Sequence, residues 1–298
     1  MTDFSTPDEL PLDPPEPTPP RRSPGQWLHW LLQTFFVQAW QRVDARDRGQ
    51  PVGRMPARQA AIVTSLTAAL MLVMLRFIVM DHEVQNGVAR TFIDVAAMFS
   101  SHLAEILTRY QRLLVNLSWS LGCFACYFAV PALVMRTVFG ERLRDAYLAP
   151  REYLSHLPVY ALLFLPVGLL VLLVANTPEF LRQYPFYDPH QGWPDLLIWE
   201  LGYGLQFFSL EFFFRGFMLR GMAGEFGSMA TLVMMIPYCM IHFGKPLPEC
   251  LGSIVAGMVL GTLAMDTRSI WGGVTIHVAV AWAMDLAAVW HKSTPHGL

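Results

Sequence analysis

Residues 157–175 run the length of a membrane span without one charged side chain. A helix needs about 20 mostly apolar residues to cross a bilayer. Hydrocarbon offers the backbone no water, so a segment of this kind satisfies its own N–H and C=O groups by coiling into an α-helix. Six further stretches read the same way: 60–79, 113–134, 196–217, 229–243, 252–265 and 270–290. The fifth and sixth spans in chain order are short and flanked by Gly and Pro. Composition agrees, with 54% hydrophobic and 15% charged residues in 298, whereas a soluble domain carries about 25% charged residues. Mean hydropathy is +0.37. The expected fold class is all-α, a polytopic transmembrane helical bundle of about seven spans.

Arg42, Arg46, Arg48, Arg54 and Arg58 precede the first span, and Arg136, Arg142, Arg144 and Arg151 follow the second. Excess Lys and Arg marks cytoplasmic loops, so both clusters are expected on that side, and Arg220 and Arg268 return to it. The loop 176–195 holds the single Arg182 and faces outward on this reading. A multi-pass integral protein of the plasma (inner) membrane is expected, its N-terminus cytoplasmic and the lipid bilayer its surroundings. Lys+Arg 21 against Asp+Glu 23 gives no case for a nucleic-acid partner.

Five regions follow. Residues 1–25 are Pro-rich and acidic, too poor in apolar side chains to build a core, and are expected to be a disordered tail. Residues 26–58 comprise an amphipathic helix rich in Trp and Phe, expected to lie on the membrane surface, and a basic linker; a short docking helix is the alternative. Residues 59–195 hold the N-terminal transmembrane helices. Within them 88–112 is helical in pattern but too polar to span, and belongs at the interface. Residues 196–290 carry nearly all the polar intramembrane residues, and 291–298 are a short tail. Cys123 and Cys126 have redox or metal spacing, but as small apolar residues beside no other ligand they read as helix packing.

Glu211 and Arg215 lie inside an apolar stretch, four residues apart and so on one helix face. Ionisable groups at membrane depth line a cavity, pair, or do chemistry. Glu211 is either a base that activates water or the partner of a structural ion pair with Arg215. Alone, His242 and His277 would each be hydrogen-bonded core residues. With a carboxylate, the two imidazoles can bind a metal such as Zn2+ or polarise a scissile carbonyl. No short zinc signature is present, and a metal-free carboxylate–water–imidazole arrangement serves hydrolysis equally. The run of Phe from Phe207 to Phe217 is lipid-facing or core bulk, and Trp193, Trp199, Trp271 and Trp290 read as an interfacial belt.

These residues resemble the CAAX-protease and bacteriocin-processing (CPBP, or Abi) family of intramembrane proteases. Members typically show E-E-x-x-x-R, F-x-x-x-H and H-x-x-x-N on successive transmembrane helices. The matching stretches here are Leu210-Glu211-Phe-Phe-Phe-Arg215, Tyr238-Cys-Met-Ile-His242 and His277-Val-Ala-Val-Ala281, within the last third of the chain. Two positions depart from the pattern. Leu210 stands where the leading glutamate, usually given the base role, would be, and one residue turns a side chain by about 100° around a helix. Ala281 replaces the Asn and has no hydrogen to donate to an oxyanion. Asp285, two turns past His277, is the candidate to take over as a water or metal ligand.

The resemblance implies an intramembrane endopeptidase, metallo- or glutamic-type, cutting a membrane-anchored or hydrophobic-tailed protein or peptide. Glu211 would activate water, Arg215 would keep Glu211 oriented or cap a neighbouring carbonyl, and His242 and His277 would hold water, metal or oxyanion. At ~1.5 Å per residue, His242 is expected roughly 10 Å nearer the outer face than Glu211 and His277, level with Glu200 and Asp285. Pro237 is expected to kink its helix and bring His242 down. Two rivals stand beside this reading. One is a catalytically inactive scaffold or immunity protein of the same family, suggested by Leu210 and Ala281. The other is a small-solute or proton transporter relaying through Glu200, Glu211 and the histidines.

Overall fold

A computed structural model of the chain describes residues 23, 25–26, 29, 33–188 and 193–293. The tail expected over 1–25 lies, apart from 23 and 25, outside the described residues, as does 294–298. Among the described residues there is no strand, only two isolated bridges. The helices, in order, are α1 (Ala39–Asp47), α2 (Ala57–Val79), α3 (His82–Phe99), α4 (Ser101–Arg109) and α5 (Gln111–Phe139). Then come α6 (Leu157–Val174), α7 (Pro178–Gln183), α8 (Trp193–Glu211), α9 (Leu219–Phe226), α10 (Ala230–Met240), α11 (Leu247–Thr267) and α12 (Trp271–Ser293). The all-α polytopic bundle expected from the apolar runs is the architecture found.

By length and composition, five helices among the described residues can cross a membrane: α2, α5, α6, α11 and α12. The other two expected spans differ from these. α10 has 11 residues, about 16 Å of rise, well short of a hydrocarbon core of about 30 Å. α8 runs on through a π-helical stretch, Phe212–Met218, into α9, and it is two-faced, with Leu197, Ile198, Leu201 and Leu205 exposed along one side. It packs against both α5 and α12, and Glu200, Gln206, Glu211 and Arg215 on it are all buried. The Phe run is accordingly core: Phe212, Phe213, Phe214 and Phe217 have no exposed surface. By contrast, α6 leaves Leu162, Leu165, Leu172 and Leu173 uncovered on an uncharged helix, as a lipid-facing helix should.

The Arg clusters do gather at one end of the bundle. Arg42 holds Asp266 through two bonds of 2.9 and 2.6 Å. Arg268 pairs with Asp47, Arg220 pairs with Glu141, and Arg54 caps the carbonyls of Thr137 and Val138 that α5 leaves open at its end. α1 is therefore docked on the bundle through its own residues. Trp40 Nε1 donates to Thr262 Oγ1 at 3.0 Å, and Asp44 accepts from the Ser228 N–H at 2.7 Å. Gly227 makes the latter fit: its φ is +56° and a Cβ there would sit 2.1 Å from Asp44 Oδ1.

The polar stretch expected at the interface is two helices, α3 and α4, broken at Ser100. That serine has extended backbone (φ −160°) and caps α4 by accepting from Leu103 N–H at 3.2 Å. Gln85, Ala89 and Ala96 turn inward while Phe92, Met98 and Phe99 stay uncovered. Cys123 and Cys126 are free thiols buried in the main hydrophobic cluster.

Candidate active site

The site is assembled from α8, its π-helical extension, α10 and α12. Glu211 ends α8, and Arg215, one turn on, lies in the π-helical stretch. Arg215 Nη1 lies 3.0 Å from Glu211 Oε1, both side chains without exposed surface. His277, six residues into α12, brings Nδ1 to 2.8 Å from the same oxygen and keeps 19% of its side chain exposed. These are ion-pair distances, but neither contact has hydrogen-bond angles, and both Glu211 oxygens and all three guanidinium nitrogens are otherwise buried without a hydrogen-bonding partner. We read the Glu211–Arg215 contact as charge pairing in close packing, and the His277 contact as a ring nitrogen set against the carboxylate. The approach of α12 to the carboxylate depends on Gly273, one turn before His277. A Cβ on Gly273 would stand 2.1 Å from Glu211 Oε2.

Tyr238 on α10 ties the cluster together. Its Oη is 3.0 Å from His277 Nε2, its ring centroid is 3.9 Å from Arg215 Cζ, and its backbone oxygen is 2.8 Å from His242 Nδ1. The His242 ring meets the Tyr238 ring edge to face at 4.9 Å, and Phe207 stacks on His277 at 5.6 Å. For neutral rings, partner chemistry assigns the tautomers. A carbonyl oxygen only accepts, so His242 Nδ1 carries the proton and Nε2 keeps its lone pair. A carboxylate facing His277 Nδ1 likewise places the proton there, which leaves Nε2 to accept from the Tyr238 hydroxyl. The chain of contacts is hydroxyl to imidazole to carboxylate, with a guanidinium behind.

Of the residues singled out in the sequence, Glu211, Arg215 and His277 are in direct contact. His242 joins them through Tyr238, one helical turn or about 6 Å along the chain. It arrives because α10 stops at Met240, three residues past Pro237, and the backbone turns. Asp285 is not brought to this cluster. Eight residues beyond His277, about 12 Å of rise, it accepts from Trp199 Nε1 at 3.1 Å and from the Phe186 backbone N–H at 3.2 Å. It is spent on anchoring the 184–188 segment. Glu200 belongs to that outer tier as well, and Glu249 sits in the first turn of α11. Tyr238, which opens the second motif, and Gly273, outside the motifs, are two members of the cluster that the sequence reading gave no role. The signal for both was spacing, since each lies one turn before a motif histidine on the same face.

As arranged, the donors do not fit a metal ion such as Zn2+. Both ring nitrogens of His277 face protein partners, Asp285 is elsewhere, and His242 Nε2 is the one imidazole nitrogen with its lone pair free of a protein contact. Among the described residues no group of three or more His, Cys, Asp and Glu gathers in a way that could hold one.

Residues 192–283 match the family described as Type II CAAX prenyl endopeptidase Rce1-like. The resemblance carried by the three motifs therefore holds over the last third of the chain, and it supports a CAAX-type intramembrane endopeptidase in general terms. The matched residues include Glu211, Arg215, His242 and His277 and end before Asp285. No curated protein and no solved structure matches the chain.

Proposed function

We propose that this protein is an intramembrane endopeptidase that hydrolyses a peptide bond in a membrane-anchored, hydrophobic-tailed substrate, a prenylated C-terminal peptide being the class the family match suggests. The observation that supports the reading is the meeting of the first and third motif segments at one buried carboxylate oxygen, with Arg215 at 3.0 Å and His277 at 2.8 Å from Glu211 Oε1, and with Tyr238 of the second segment in contact with both Arg215 and His277. Glu211 is buried and His277 is partly exposed, so the pair works in series. Glu211 holds the imidazole and balances its charge, and His277 Nε2 takes the proton from the attacking water. Water oxygen then bonds to the scissile carbon, the carbonyl π pair moves onto oxygen, and the proton on Nε2 passes to the leaving amine as C–N breaks. Arg215 keeps Glu211 ionised and in place, and His242, whose Nε2 is an acceptor, orients the water.

The reading of an inactive family member draws on Leu210 and on Ala281, which is 4% exposed among Leu113, Trp199 and Tyr203. One experiment separates the two. The full chain and the variants Glu211→Ala, His242→Ala and His277→Ala are each tested on an internally quenched farnesylated peptide in detergent micelles. Cleavage by the parent chain, lost in all three variants at unchanged protein level, is the expected result. A parent chain that leaves the peptide intact, or variants that cut as well as it does, would sink the proposal.

A further inference from the structure

Ala281 leaves the reaction above without the neutral donor an oxyanion needs. We propose that the Tyr238 hydroxyl supplies that hydrogen bond, which makes Tyr238 a further catalytic residue; the inference rests on the endopeptidase reading. Four observations converge. The hydroxyl is 3.0 Å from His277 Nε2, the atom that receives the proton from water, so it lies beside the reacting carbonyl. The tautomer fixed by Glu211 makes Nε2 an acceptor, so the hydroxyl carries its hydrogen at the site. The Arg215 guanidinium, 3.9 Å over the ring face, draws electron density from the phenol and strengthens its O–H as a donor. The ring is held on all sides by Phe214 at 5.2 Å, His242 at 4.9 Å and the α11 backbone at Gly257, and is 1% exposed. Such a donor needs no reorganisation when charge develops.

Packing accounts for the ring but not for the oxygen. The F-x-x-x-H pattern has a phenylalanine at this place, and a Phe ring would fill the same space. The hydroxyl is the addition, in a chain that has lost the Asn side chain one turn past His277. The step is self-consistent. A bound substrate carbonyl offers the hydroxyl a second acceptor; as it turns there about its C–O bond, Nε2 is freed to accept from water. Proton transfer to Nε2 then makes that nitrogen a donor, which excludes the hydroxyl from returning and leaves it on the oxyanion. When the amine takes the proton back, Nε2 accepts from Tyr238 again. No proton leaves the hydroxyl at any point.

The test is Tyr238→Phe in the full chain, with kcat and KM measured on the farnesylated quenched peptide and affinity measured for its phosphonamidate analogue, a tetrahedral anion. The expected result is a kcat lower by about a hundredfold or more, KM within about twofold, and an unchanged melting midpoint. Phosphonamidate affinity should fall in parallel with kcat/KM while affinity for the cleaved product stays the same. A Tyr238→Phe chain whose kcat and phosphonamidate affinity stay within about threefold of the parent overturns the donor role and leaves the endopeptidase reading standing. A parent chain that neither cleaves the peptide nor binds the phosphonamidate overturns both. If Tyr238→Phe lowers the melting midpoint, the ratio of phosphonamidate to product affinity decides, because a general loss of fold lowers both together.

Discussion

The same two helices, α8 and α12, carry two polar tiers, and Asp285 in one is held in the opposite way to Glu211 in the other, while Glu200 of the outer tier keeps both oxygens buried without a hydrogen-bonding partner. In the outer one, Asp285 accepts two well-formed hydrogen bonds, from Trp199 Nε1 and the Phe186 N–H. Tyr187 Oη closes on Asp195 at 2.7 Å, and stacked aromatics seal the surround. In the inner one, Glu211 meets Arg215 and His277 at close range with no hydrogen-bond geometry, and a glycine is required for the approach. A buried carboxylate whose acceptors are used up by fixed donors is holding structure. One surrounded by charge and left short of directed bonds is available for chemistry.

The largest test of this contrast exchanges the carboxylates for amides. Glu211→Gln is expected to lower cleavage of the farnesylated peptide by about a thousandfold, as loss of a group acting with its histidine does. Asp285→Asn is expected to keep kcat within a few-fold while lowering the melting midpoint. Equal loss of activity in both would erase the distinction. Gly273→Ala comes next: the added carbon has to displace the Glu211 carboxylate, and a shift of about 1 Å at a reacting group costs about a hundredfold in rate. A Gly273→Ala chain with parental kcat would show that the close approach is not needed. Trp199→Phe leaves one Asp285 oxygen buried without its donor, which costs about 1–3 kcal/mol, read as a lower melting midpoint with kcat retained. Arg42→Ala has the smallest effect. Its pair with Asp266 is at a surface where the arginine is 55% exposed, so the loss should stay under about 1 kcal/mol and shrink further in high salt.

The helical class, five of the spans, the common end of the Arg clusters and the residues of the inner tier were all legible in the sequence, because apolar length and buried charge are local properties. What escaped were features set by neighbouring segments. α8 reads as one apolar span from its composition, yet only its Leu197, Ile198, Leu201 and Leu205 side is exposed while Glu200, Gln206 and Glu211 turn inward, and hydropathy averaged along a helix does not separate a lipid face from a protein face. α10 reads as a short span, but its end at Met240 reflects the turn to α11, where the Cys250 thiol donates to the His242 carbonyl oxygen at 2.9 Å. Asp285 was drawn toward His277 by its position on the same helix, whereas its partners come from 186 and 199, which no spacing rule on α12 reveals. Tyr238 stands at the F of the second motif, and only the approach of α10 to α12 shows its hydroxyl 3.0 Å from His277 Nε2.

The inner cluster also has a front and a back. Glu211, Arg215 and Tyr238 are closed off, and the two histidines are the members with surface to spare. Of the two histidines, His277 is the one in contact with the Glu211 carboxylate, so a proton passing between the surroundings and Glu211 has its shortest way through that imidazole.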